Sequence, residues 1–271
     1  MKKLLSIAMA LFLLLALTAC AGPKDTPVDS VPKDHLARIQ EKGVLVVGQE
    51  GDWPPFTYED ESGNKIGFDA EVAQGIADYL GVELEIVYIP WDNLFMALDA
   101  GQIDMIANGV DVTPERQQSY DFSDPYAYDT AVLIVLEDND DIHTFEDLNG
   151  KTTANSNGST YAELGEKYGA TVSGVDTLAE TLTLVKSGAV DATINASTSY
   201  VDYMLNVGGP FKVVDRLTGD NATPYAIPIV KGEDNATLLR EINKALAEMY
   251  GNGSLKALSV KYFAGEDLTQ K

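Results

Sequence analysis

One cysteine and two histidines occur in 271 residues. That leaves no internal disulfide and too few thiol and imidazole ligands for a zinc cluster. Basic residues are also scarce, 19 Lys and Arg against 42 Asp and Glu, for a formal net charge of −23. A chain this acidic repels phosphate backbones, so no nucleic-acid partner is expected. Enzyme signatures are missing as well: there is no Gly-x-Ser-x-Gly elbow, no His-Glu-x-x-His and no Cys-x-x-Cys. Gly150-Lys151-Thr152 would need a glycine at 145 to make a phosphate loop, and Phe145 stands there. Ser62-Gly63-Asn64-Lys65 fits a Ser-x-x-Lys spacing, but in a turn-forming run without its partner motifs. No cofactor, metal or catalytic group is expected.

What is present fits a folded extracytoplasmic chain. With 45% hydrophobic and 23% charged residues, it has the composition of a globular protein, not of a disordered acidic one. Lys2 and Lys3 precede an apolar run over 4–17, shorter than the roughly 20 residues a membrane span needs. This predicts a secretory leader over 1–19. The leader ends in Leu17-Thr18-Ala19-Cys20, which resembles the bacterial lipobox, so Cys20 is the expected lipidation site. Residues 20–35, with three prolines and no hydrophobic period, read as a lipidated tether. No later stretch is apolar enough to span a bilayer, so the membrane is met through the lipid alone.

Short strands and helices alternate after the tether, which predicts parallel α/β layers. A helix over 35–42 stops at Gly43. Strands follow near 44–47, 83–89 and 103–107, with helices over 69–79 and 93–100. A second unit repeats this rhythm: helix 143–148, strand 151–155, helix 161–168, strand 171–175, helix 178–186, strand 192–195, helix 200–206 and strand 211–214. Leu238, Leu239, Ile242, Leu246 and Met249 mark one face of a C-terminal helix. Two connections, 126–130 and the stretch around Tyr225, join the units. Two lobes joined twice enclose a cleft, a common small-molecule site.

In open α/β sheets, ligands bind beyond the carboxyl ends of strands. Those positions hold Glu50, Trp53, Trp91, Asn108, Asp111, Arg116, Asn157 to Thr160 and Asn195 to Ser197. In Asp111-Val-Thr-Pro-Glu-Arg116, Thr113 suits an N-cap and Pro114 the first helical position. Arg116 would then lie in the first turn, beside free backbone N–H groups that favour a carboxylate. Asn157-Gly158-Ser159-Thr160 is a second anion nest. Trp53 before Pro54-Pro55 and Trp91 after Pro90 are expected on loops that wall a pocket.

These residues also carry a family resemblance. Over 44–263 the chain resembles the extracytoplasmic solute-binding proteins of polar amino-acid ABC importers. The matching runs include Glu50-Gly-Asp-Trp-Pro-Pro-Phe56, Gly67-Phe-Asp69, Gly101-Gln-Ile-Asp104, Thr113-Pro-Glu-Arg116, Asp121-Phe-Ser-Asp-Pro-Tyr126, Glu146-Asp-Leu-x-Gly-Lys151 and Gly188-Ala-Val-Asp-Ala192. The resemblance implies a two-lobe, type II periplasmic-binding-protein-like α/β fold with its ligand cleft between the lobes. Lobe 1 would take 36–127 and 225–271, and lobe 2 with the hinge strands 128–224. It implies that Arg116 clamps the ligand's α-carboxylate, aided by backbone N–H groups near Asp111 and by the Thr160 hydroxyl. Trp53 and Trp91 would sandwich the side chain, and Glu50 would meet its distal group. Asn108, Gly109, Ser156, Ser159 and Asn195 would complete the lining.

There is one departure from the family pattern. The family commonly presents a second-lobe Asp to the ligand ammonium where this chain has Ala196, so Asp111 is expected to take that role from the first lobe. The acidic pocket argues against Asp or Glu as ligand. Glu50-Gly51, Asn108 and Asn195-Ala196 look like the cystine-binding branch. The implied partners are a free amino acid and an ABC permease with its ATPase, and the implied form is a monomer at the outer face of the bacterial membrane. An extracytoplasmic enzyme resembling cyclohexadienyl dehydratase, or an amino-acid sensor or adhesin, are the alternatives.

Overall fold

The computed structural model describes residues 34–217 and 223–270. The expected leader 1–19, the Cys20 anchor and the tether lie outside the described residues, except for the tether's last two positions. Asp34 is already an N-cap, its carboxylate accepting the Ala37 N–H at 2.8 Å, and His35 opens the helix His35–Lys42. Gly43 ends that helix in the left-handed region, φ 75°, where a glycine has no Cβ to clash.

The first lobe is built on the strand Val44–Gln49, paired in parallel with Glu83–Tyr88 on one side and Met105–Ile106 on the other. Its sequence is nearly all apolar because both faces are covered. Leu45 and Val47 pack with Val72, Ile76, Ile242 and Leu246 of the helices Phe68–Leu80 and Ala236–Gly251. Val46 faces the other way, onto Leu94, Ala97 and Leu98 of the helix Trp91–Asp99.

In the second lobe, Thr152–Asn155 pairs in parallel with Thr171–Gly174. The strand Ala131–Leu136, however, runs antiparallel to both its neighbours, Thr193–Ala196 and Phe211–Arg216. The lobe therefore holds a parallel pair and an antiparallel three-stranded sheet, linked by the single bridge Thr153–Ala192, against the one parallel layer that strand–helix alternation predicts. Ala131–Leu136 enters directly from an extended connection with no crossover helix before it, and only such a helix would force a parallel course. That connection, Ala127–Asp129, pairs antiparallel with the returning strand Thr223–Tyr225, so the two expected connections form one ribbon.

Two local expectations shorten. The helix expected over 143–148 is a single 3₁₀ turn, Phe145–Leu148. The helix after Thr113 is only Arg116–Ser119. The expected cap moves as well: the N-cap is Glu115, with no side-chain cap bond, and Pro114 precedes the helix, although the Thr113 hydroxyl accepts the Arg116 N–H at 3.1 Å; no residue of Arg-Gln-Gln-Ser is buried. Without an apolar face to pack, a helix this short does not extend.

Candidate functional site

Between the lobes lies a cavity of about 470 Å³, its open mouth included. The first lobe contributes Glu50, Trp53, Trp91, Asn108, Gly109 and Asp111 to its wall, and the second Ser156, Ser159, Thr160 and Asn195. Every expected lining residue except Arg116 is on that wall. Tyr161, Asp176 and Leu178 line it too, and the sequence reading missed them.

Glu50 follows the carboxyl end of Val44–Gln49, and Asn108 lies just past its parallel neighbour Met105–Ile106. Adjacent strand ends bring the two together. The Glu50 N–H donates to Asn108 Oδ1 at 2.7 Å, and Asn108 Nδ2 donates back to Glu50 Oε2 at 3.2 Å. Burial pushes the Glu50 carboxyl up to about 8; the Asn108 bond opposes this, while the nearby acids Asp52, Asp176 and Asp92 push it further up.

Trp53 is not on a loop. It ends the short strand Asp52–Trp53, which pairs with Thr57–Glu59, and only 8% of it is exposed. Its ring stacks on Phe56 with centroids 4.3 Å apart, and its Nε1–H donates across the cleft to Asn195 Oδ1 at 3.2 Å. The tryptophan is both core and wall. Gly109 makes that fit possible: a Cβ there would stand 2.7 Å from the Trp53 ring, and its φ of 51° favours glycine as well. Trp91 also departs from the loop expectation, since it is the first residue of the helix Trp91–Asp99, after Pro90.

Asp111 is the most unusual group. Its Oδ2 accepts the Thr160 hydroxyl of the second lobe, while Oδ1 is buried with no partner among the described residues. Burial raises its carboxyl to about 6, although Thr160 and Arg116 both favour the charged form. An unpaired buried carboxylate oxygen is costly unless something donates to it. Thr160 lines the cavity, but its hydroxyl is already engaged by Asp111. Ser159 is the N-cap of the helix Thr160–Lys167 and accepts the Ala162 N–H at 3.1 Å, so its hydroxyl serves the helix end.

Arg116 is the exception among the expected residues. Its guanidinium stacks over Trp91 (5.2 Å) and Phe95 (5.4 Å), behind the cavity wall. It donates to the carbonyls of Asp111 and of Gly158 in the second lobe, each at 3.1 Å. The backbone N–H groups expected free there are already committed: Arg116 donates to the Thr113 hydroxyl, Gln117 to the Thr113 carbonyl and Gln118 to the Glu115 carbonyl. Behind the same wall, the Tyr126 hydroxyl donates to the fully buried Asp69 at 2.8 Å and accepts the Gly109 N–H at 3.3 Å. Burial lifts the Asp69 carboxyl to about 7. This ties the start of the inter-lobe ribbon to the cavity. Among the described residues, no group of three or more His, Cys, Asp or Glu is arranged to hold a metal ion.

Two α/β lobes joined by a strand ribbon, with a polar and aromatic cavity between them, define a cleft-type ligand-binding protein. The sequence matches, over residues 45–265, the family described as bacterial extracellular solute-binding proteins, family 3, and the chain belongs to it. It is 36% identical over 273 residues to the L-cystine-binding protein TcyA of Bacillus subtilis, covering all of both chains. Among solved structures it is similar to a P235GK mutant of ArgBP from T. maritima, with TM-score 0.78, 34% identity, and coverage of 84% of this chain and 99% of that one. It is also similar to the L-cystine solute receptor of Neisseria gonorrhoeae in its unliganded open conformation, with TM-score 0.59, 35% identity, and coverage of 86% and 98%.

Proposed function

We propose that this protein is a lipid-anchored receptor, held outside the bacterial membrane through Cys20, that captures a polar amino acid and delivers it to an ABC importer permease. L-cystine is the favoured ligand. The observation that carries the reading is the buried, unpartnered Oδ1 of Asp111, a residue that lines a cavity walled by both lobes. An ammonium there would satisfy it with a charge-assisted bond. Ala196, at the place the family commonly gives to an acid, is fully buried and outside that wall, which supports a first-lobe origin for the ammonium partner.

Arg116 keeps donors beyond the two it commits to carbonyls, since a guanidinium has five. We assign it the α-carboxylate, approached from behind Trp91. Glu50 meets the distal ammonium of cystine, and Trp53 and Trp91 flank the connecting chain. We further assign 36–127 and 225–271 to one lobe and 128–224 to the other, with 1–19 removed as leader and the receptor monomeric. The cystine preference is supported by the acidic lining and by relatives named for L-cystine.

One feature favours a rival. A carboxyl held near 8 is suited to general acid–base work, so Glu50 could serve an enzyme on this scaffold. Incubating the protein with L-cystine and the common amino acids, with binding followed by thermal shift and the solution assayed for product, separates the two. Saturable stabilisation without conversion is the receptor's result; conversion is the enzyme's.

A further inference from the structure

Asp176 has no role in the reading above. It lines the cavity from the second lobe, just before the helix Leu178–Ser187. Its backbone is fixed on both sides: the carbonyl accepts the Ser156 hydroxyl at 3.2 Å, and the N–H donates to Glu180 Oε2 at 3.1 Å. Its carboxylate has no hydrogen-bond partner among the described residues. Glu50 lines the same cavity from the first lobe, close enough that Asp176 disfavours its charged form. Two acids on opposite lobes thus share one cavity whose lining residue Asp111 also keeps a buried, bare Oδ1, and among the described residues no Lys or Arg lines it.

We infer that Asp176 is a specificity-determining residue: it and Glu50 hold the terminal cation of the ligand side chain, an ammonium or guanidinium, between the two lobes. The inference rests on the amino-acid-receptor reading and deepens it. With the lobes together and no cation between them, Asp176 disfavours the charged form of Glu50. A ligand cation between them reverses the sign of that interaction. Selectivity then comes from differential closure: a ligand that binds the closed form better shifts the population toward it, and a neutral tail cannot.

L-arginine and L-citrulline have nearly the same shape and differ in the charge of the tail, so they separate charge recognition from fit. The experiment is calorimetric titration of L-cystine, L-arginine and L-citrulline into the mature protein and its D176N variant. L-cystine, whose distal end carries a carboxylate beside its ammonium, reports on receptor binding alone; the expected result is that the parent binds L-arginine, the cation-tailed probe, at least tenfold more tightly than citrulline. D176N weakens that probe fivefold or more and changes citrulline less than twofold. Equal losses on charged and neutral probes, an unchanged ratio, or a parent that prefers citrulline would overturn the inference while leaving the receptor reading intact. A parent that binds no amino acid would overturn both. Asp176 is exposed, so D176N is expected to melt with the parent, and a melting curve checks this.

Discussion

Asp111 has one carboxylate oxygen engaged by Thr160 and one bare, and this asymmetry decides what it can offer a ligand. A charge-assisted bond contributes about 1.5–3 kcal/mol, so Asp111→Ala should weaken amino-acid binding roughly tenfold to a hundredfold by calorimetry. Unchanged affinity would remove Asp111 from the ammonium site. Arg116→Ala should cost more, because it strips a carboxylate of its partner and breaks the bond to Gly158 that joins the lobes. Gly109→Ala tests the tryptophan: the added methyl must displace the Trp53 ring, an overpacking that costs about 1–3 kcal/mol. Its expected effects are a lower melting temperature and weaker ligand binding together. Strand-end logic reaches Glu50, Asn108 and Asp111 in the sequence because adjacent parallel strands end on the same edge. The same logic expects Arg116 on the cavity wall, whereas its guanidinium lies against Trp91 and Phe95, because the helix that carries it stops after one turn. It also misses Asp176 and Tyr161, which ordinary helix-start sequence brings to the cleft only once the lobes meet.

At the scale of elements, the helix His35–Lys42 is pinned by its first residue. His35 Nε2 lies 2.6 Å from Asp104 Oδ1, and Nδ1 lies 2.6 Å from Asn235 Oδ1. Asn235 uses its Nδ2 as donor to the Val230 carbonyl at 2.7 Å, so its Oδ1 accepts. Both imidazole nitrogens therefore face acceptors, which only the protonated ring satisfies. The Asp104 bond raises the His35 pKa; burial and Arg38 oppose this, and Asn235 adds to it. A raised folded pKa contributes stability that is fully present below about 6.5 and lost as pH rises through the folded value. Melting followed from about pH 6 to 8.5 should show a decline that His35→Gln makes shallower; identical slopes would contradict it. The helices and strands themselves were readable wherever a glycine stop or an apolar run marked them, as at Gly43, Gly81 and Gly188. The antiparallel course of Ala131–Leu136 was not, since strand direction depends on which lobe the chain has just left.

For the molecule as a whole, closure and protonation are coupled. Bonds that cross the cleft, Trp53 to Asn195, Asp111 to Thr160 and Tyr161 to Tyr225, hold the lobes around the cavity. Several buried carboxyls sit high: Glu50 at about 8, Asp69 at about 7, Asp111 and Asp129 at about 6, all raised first by burial. The folded chain then holds protons that the unfolded chain has already released, so stability falls as pH rises through this range. Calorimetric melting of the ligand-free protein should give a higher midpoint near pH 5.5 than near pH 8. A cationic ligand that pairs with Glu50 and Asp111 should narrow that gap by favouring their charged forms. The central claim, that this chain is an amino-acid receptor, is tested most directly by isothermal titration of L-cystine and the common amino acids into the mature protein near pH 7. The account predicts saturable one-to-one binding, accompanied by proton release into the buffer and with no product formed. An absence of saturable heat from every one of these ligands, or turnover of any of them, would contradict it.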